Sequence, residues 1–242
     1  MGPLDESATM DEPWIDFDLS TLTYPQFIAF FFNRPVVGSH EESFELFSAT
    51  HFGADGFCTS DPAIIVANVE AMCHDFTRLT KTYSHDQLDQ GLWALFGSTG
   101  CFGRHLFDAA VDLKLRINCV ETMYLPFRDV VAHHTGDVRN TFYWMWWDMI
   151  LHLLDPEPRE YGYGHATLTP DQQHMVDAIF HTVSRILALD HFGCQLSALH
   201  GLGHLYHPLA GQLLQSYLDE RRGHLTVEDT RWIEACRENH IA

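Results

Sequence analysis

Cys194-Gln-Leu-Ser-Ala-Leu-His-Gly-Leu-Gly-His-Leu-Tyr-His-Pro208 is the stretch on which the reading of this chain turns. It has the pattern of an amphipathic helix over 194–206 that stops at a proline. At about 100° per residue, Cys194, Ala198, Leu199, Leu202, Leu205 and Tyr206 fall on one arc. Ser197, His200 and His204 fall on the opposite side, and His207 joins them if the helical phase runs on past Tyr206.

The preceding segment repeats the pattern. Thr169-Pro170-Asp-Gln172 is a capping box that opens a helix to about Leu189. Met175, Val176, Ile179, Phe180, Val183, Ile186 and Leu187 share one arc, while His174, Asp177, His181 and Arg185 lie opposite. Two such helices joined by the short Asp190–Gly193 turn are expected to pack as an antiparallel hairpin, apolar faces inward. Segments 208–220 and 227–239 continue the series.

Ala198-Leu-His-Gly-Leu202-Gly203-His-Leu205-Tyr-His-Pro208, followed by Leu213, Leu214 and Leu218, resembles HEAT-like repeats. The resemblance covers residues 170–239. It implies an α-solenoid of stacked helix hairpins whose second helices line a binding face. In that setting Gly203 allows close helix approach and Pro208 starts the next unit. His207 stands where the family commonly has Asp.

Upstream the helices are less regular. Thr23 opens a first helix with Pro25 in its first turn and Phe27, Phe30 and Phe31 on one face. Val36–Ser60 shows no clear period. Asp61-Pro62 caps a helix whose stripe is Ile65, Val69, Met72, Phe76 and Leu79. Ser84-His-Asp-Gln87 is a second capping box, and Gly97–Gly103 closes the helix that it opens. Arg104–Leu115 and Arg116–His133 read as helices, the latter kinked or split by Pro126. Thr141–Leu154, with Phe142, Tyr143, Trp144, Trp146 and Trp147, is apolar on nearly every side and belongs inside the packing. Residues 155–169 form a loop carrying Tyr161, Tyr163 and His165. No period-two alternation is evident. The expected fold is all-α: an acidic arm over 1–18, an irregular helical part over 19–155, and the helix pairs over 170–239, in one domain of nine or ten helices.

Composition narrows the function classes. The net charge is −19, and residues 1–75 hold thirteen carboxylates against a single cation, Arg34. Such a field repels nucleic-acid phosphate and anionic lipid and attracts a basic protein. No run reaches the roughly 18 apolar residues of a membrane span. The six cysteines contain no CxxC pair, so they read as reduced thiols of a cytoplasmic protein. No GxSxG elbow or HExxH motif is present. His133-His134 reads as a helix C-terminus.

The expectation is a non-enzymatic binding protein without a cofactor. It captures a basic partner, as an immunity protein or inhibitor neutralising a toxin would. The expected contact residues are His174, Asp177, His181, Arg185, His200, His204, His207, Tyr161, Tyr163 and His165. The alternative is a metal-dependent enzyme whose ligands are His200, His204 and His207, with a carboxylate from elsewhere. Asp148 and His152, four apart, form a separate pair, in which Asp148 is expected to satisfy a buried indole N–H or an arginine.

Overall fold

A computed structural model describes residues 16–36, 38, 56–97, 99–152 and 168–238. Residues 1–15, which make up most of the expected acidic arm, and Tyr161, Tyr163 and His165 lie outside them.

The fold is all-α with one small sheet. Strand β1 (Asp16–Asp18) pairs in parallel with β2 (Gly56–Cys58), Phe17 opposite Phe57. Three-residue strands are too short to display a period of two, so the sequence pattern did not reveal them. The end of the expected arm is therefore built into the fold. Asp18 accepts hydrogen bonds from the backbone and hydroxyls of Ser20 and Ser60, tying the two strands' ends together. Burial raises its pKa, but these bonds outweigh burial and hold the carboxyl at about 2.

Helix α1 (Tyr24–Phe32) starts at a Thr23–Gln26 capping box with Pro25 in its first turn. It buries Phe27, Phe30, Phe31 and Phe32. Helix α2 (Pro62–Thr82) is capped by Asp61 and buries the expected stripe from Ile65 to Leu79. Helix α3 (His85–Phe96) starts at the Ser84–Gln87 capping box.

The expected helix 104–115 is instead a short α4 (Phe102–Leu106), a turn, and the start of α5 (Leu113–Thr122). Asp108 and Asp112 explain the break. Asp108 accepts from the Ala110 amide and Asp112 from the Leu115 amide, a turn followed by an N-cap. Pro126 splits the next segment as expected, in the first turn of α6 (Tyr124–Asp129), after which Val131–His133 make one 3₁₀ turn.

The Trp-rich segment is broken too. It forms α7 (Phe142–Met145) and α8 (Asp148–Leu151), each a single turn. Its place in the middle is as expected. Trp146 and Trp147 are fully buried, and Trp146 meets Phe76 of α2, Phe96 of α3 and Phe127 of α6.

Helix α9 (Pro170–Leu187) packs against α5 and α10 (Phe192–His204). Helices α11 (Ala210–Glu220) and α12 (Val227–Arg237) follow, and α12 packs on both α10 and α11. No helix among the described residues is long and apolar enough to cross a membrane. The cysteines are free thiols; four are buried, but Cys58 is exposed.

Candidate functional site

The face of α10 read from sequence as polar and outward is buried, as is nearly all of the helix. Every residue from Gly193 to His204 is buried, with His200 at 3% and His204 at 8% exposure. Breaking the Trp-rich segment into single turns explains why. A four-residue helix leaves carbonyl groups without intrahelical partners. Helix α10 supplies donors to two of them: Ser197 Oγ donates to the Tyr143 carbonyl at 2.6 Å and His200 Nδ1 to the Trp144 carbonyl at 3.0 Å. The hydroxyl and imidazole that looked solvated are satisfied inside the protein, so they can be buried.

His200 is fixed further by stacking on the Trp144 indole, ring centroids 4.4 Å apart, with Trp232 of α12 beyond. A carbonyl only accepts, so Nδ1 of His200 carries the proton and Nε2 of the neutral ring is a lone pair. His204 Nε2 stands 3.2 Å from that atom and 3.5 Å from Oδ1 of Asp148. Burial holds His200 below the ordinary histidine range and brings His204 to about 4, while it raises the Asp148 carboxyl above the ordinary carboxylate range. At neutral pH the arrangement is two uncharged imidazoles beside a partly desolvated carboxylate. It can pass a proton or accept a donor.

Asp148 therefore faces His204. It does not satisfy an indole, since Trp147 Nε1 is buried without a hydrogen-bond partner. His152 Nδ1 bonds instead to the backbone carbonyl of Asp148 at 3.2 Å.

The proposed metal triad His200, His204 and His207 does not assemble. Helix α10 ends at His204 and Leu205 is extended (φ −88°, ψ 110°), so the helical phase never reaches 207. His207 Nδ1 accepts the Leu209 amide at 3.2 Å, its ring stacks on Phe180, and its Nε2 is 3.4 Å from Asp177 Oδ1. His207 thus packs against α9 with its side chain only 9% exposed, beneath the outer face on which His174, Asp177, His181 and Arg185 are all exposed, as expected. The Arg185 guanidinium lies 3.9 Å over the Tyr124 ring. Among the described residues no group of three His, Cys, Asp or Glu side chains is placed so that it could hold a metal ion.

A second histidine group was invisible in the sequence. His85 stacks on His134 at 4.9 Å, and His191 Nε2 donates to the His134 carbonyl at 2.9 Å. His134 and His191, with Arg139 and the exposed Phe192, line an open cavity of about 500 Å³. His133 ends a 3₁₀ turn.

No family model, no curated protein and no solved structure matches the chain.

Proposed function

We propose that this chain is a non-enzymatic cytoplasmic binding protein that captures a basic protein partner, with HEAT-like helix pairs over 170–239 as its scaffold. Its contact face is the outer side of α9, His174, Asp177, His181 and Arg185, with His207 bracing Asp177 from beneath. A partner neutralised by such capture, as a toxin is by an immunity protein or inhibitor, is the setting this reading points to. His200 and His204 support the face from behind and do not touch the partner.

The observation that carries the reading is how the positive charge is spent. Arg78, Arg128, Arg139, Arg222 and Arg237 each pair with a carboxylate within three residues in sequence, and the buried Arg116 pairs with Asp171. Their charge is cancelled where it stands, while the chain as a whole keeps a net −19. The uncompensated field is negative and steers cations inward. The contact residues stand on an 18-residue helix anchored by its buried stripe, so the face is presented rigidly.

The test is affinity capture from native lysate at low and high salt, with mass-spectrometric identification, by wild type and by Asp177→Lys. The expected result is a basic protein retained at low salt, released at high salt and lost with the charge reversal. A retained protein that is acidic, or equal retention by Asp177→Lys, would overturn the reading.

A further inference from the structure

We infer that the cavity between the 134–139 loop and the start of α10 is a binding site for a small phosphomonoester with an apolar body. It stands on different residues from the outer face of α9, so the failure of one leaves the other untouched.

At about 500 Å³ the cavity has the size of a small-molecule site. Its lining divides by chemistry. Val138, Leu196 and the exposed Phe192 give an apolar side. His134, His191 and Arg139 stand against one carboxylate, Asp137. That carboxylate is taken up by Arg139, whose backbone amide and Nε both donate to it. Glu228 and Asp229 of α12 act on the same guanidinium. Arg139 is therefore compensated, and the imidazoles and the first turn of α10 remain for the anionic group of a ligand.

Three features of that turn point to a phosphoryl group. First, α10 is a helix of 13 residues whose N-cap, His191, gives the opening amides no side-chain hydrogen bond. Such amides have no acceptor within the helix and lie at the positive end of its dipole. Second, His191 Nε2 donates to the His134 carbonyl at 2.9 Å, so Nδ1 of the neutral ring is a lone pair, and that nitrogen is buried without a hydrogen-bond partner. Third, Gly193 leaves the space beside it open. A Cβ at 193 would stand 3.3 Å from His191 Nδ1 and 2.8 Å from Val138 Cγ1, so a side chain there would fill the place where a ligand meets the ring.

Together these features call for a group that accepts from amides and shares a proton with a nitrogen. A phosphomonoester does both: its oxygens accept, and its second proton leaves near pH 6. A carboxylate, ionised well below neutral pH, brings no proton to Nδ1. The net charge of −19 does not bar a small anion. Exposed charges more than about 8–10 Å away are largely screened at physiological salt, so the groups of the cavity decide, whereas a nucleic acid meets the whole surface.

The experiment titrates the full chain calorimetrically with phenyl phosphate, inorganic phosphate and benzoate at pH 7. The expected result is one phenyl phosphate per chain. Inorganic phosphate binds about tenfold more weakly for want of the ring. Benzoate binds about tenfold or more weakly for want of the shared proton. Phe192→Glu sets a carboxylate over the first turn, where helices favour acids, so it keeps the fold and weakens binding at least about tenfold. Gly193→Ala weakens it by filling the space beside Nδ1. If Gly193→Ala does not fold, Phe192→Glu and the imidazole resonances of the wild type decide. Phenyl phosphate shifting His134 and His191 supports the site. No binding, equal affinity for benzoate, unchanged affinity in folded Phe192→Glu, or shifts confined to the exposed His174 and His181 overturns it.

Discussion

His200 holds Trp144 twice: its Nδ1 donates to the Trp144 carbonyl and its ring covers the Trp144 indole. With Ser197 on the Tyr143 carbonyl, this fastens α10 to a segment too short to be a stable helix by itself. The polar side of α10 is the seam between the C-terminal helix pairs and the irregular N-terminal part.

That seam makes stability depend on pH. His200 and His204 stay neutral in the folded chain, held down by burial, while in the unfolded chain they take up a proton near pH 6.5. The unfolded state therefore binds more protons below pH 6.5. The stabilisation is fully present above that value and is lost as pH falls from 6.5 to about 4, the value of His204. For His204 the loss is on the order of 3 kcal/mol. Asp148, shifted upward by burial, opposes it at the acid end. Urea midpoints at pH 8, 6.5, 5 and 4 should fall more steeply for wild type than for His204→Gln; parallel curves would show that His204 is not buried neutral.

Ser197→Ala tests the other half of the seam. It removes a donor and leaves a buried carbonyl unmatched, so a loss of about 1–3 kcal/mol in denaturant stability is expected. Ser197→Cys keeps the volume but donates weakly and should fall between the two. A change below about 0.5 kcal/mol for Ser197→Ala would mean that water reaches Tyr143.

Capping boxes at Ser84 and Thr169 and the Asp61-Pro62 start were legible because each signal lies within four residues. The buried stripes of α2 and α9 were legible because period and burial agree. The inward side of α10 was not, because its burial depends on carbonyls released about 55 residues earlier by a break in an otherwise helical pattern. Asp148 was paired in sequence with its neighbour His152, whereas its partner His204 is brought in by tertiary packing. The stripe through His207 failed for a local reason, Leu205 turning extended ahead of Pro208.

Arg116 is 1% exposed, and its partner Asp171 lies half in solvent on the first turn of α9. Its Nε is buried without a hydrogen-bond partner. A buried guanidinium held by one exposed carboxylate recovers little of its desolvation cost. Arg116→Met, which keeps the packing between α5 and α9, should change stability by less than about 1.5 kcal/mol and can raise it. Arg116→Ala should cost about 2–4 kcal/mol through the cavity. Equal losses in thermal or urea unfolding would show that charge, not packing, governs the position.

Two helical glycines give opposite expectations for the same substitution. A Cβ at Gly201 of α10 would lie 2.7 Å from Cβ and 2.8 Å from Cγ of the buried Trp147, and neither backbone-proximal atom can swing away. A Cβ at Gly211 of α11 would meet Arg237 Cγ at 3.9 Å, an ordinary contact. Alanine gains up to about 1 kcal/mol over glycine in a helix interior, and forced contact in a packed core costs about 1–3 kcal/mol. Gly211 stands in the first turn of α11, so Gly211→Ala should stabilise by no more than about 0.5 kcal/mol, while Gly201→Ala should destabilise and disturb the near-ultraviolet tryptophan signal. If Gly201→Ala stabilised instead, α10 would stand farther from Trp147 than described, and the close approach that buries His200 and His204 would be lost with it.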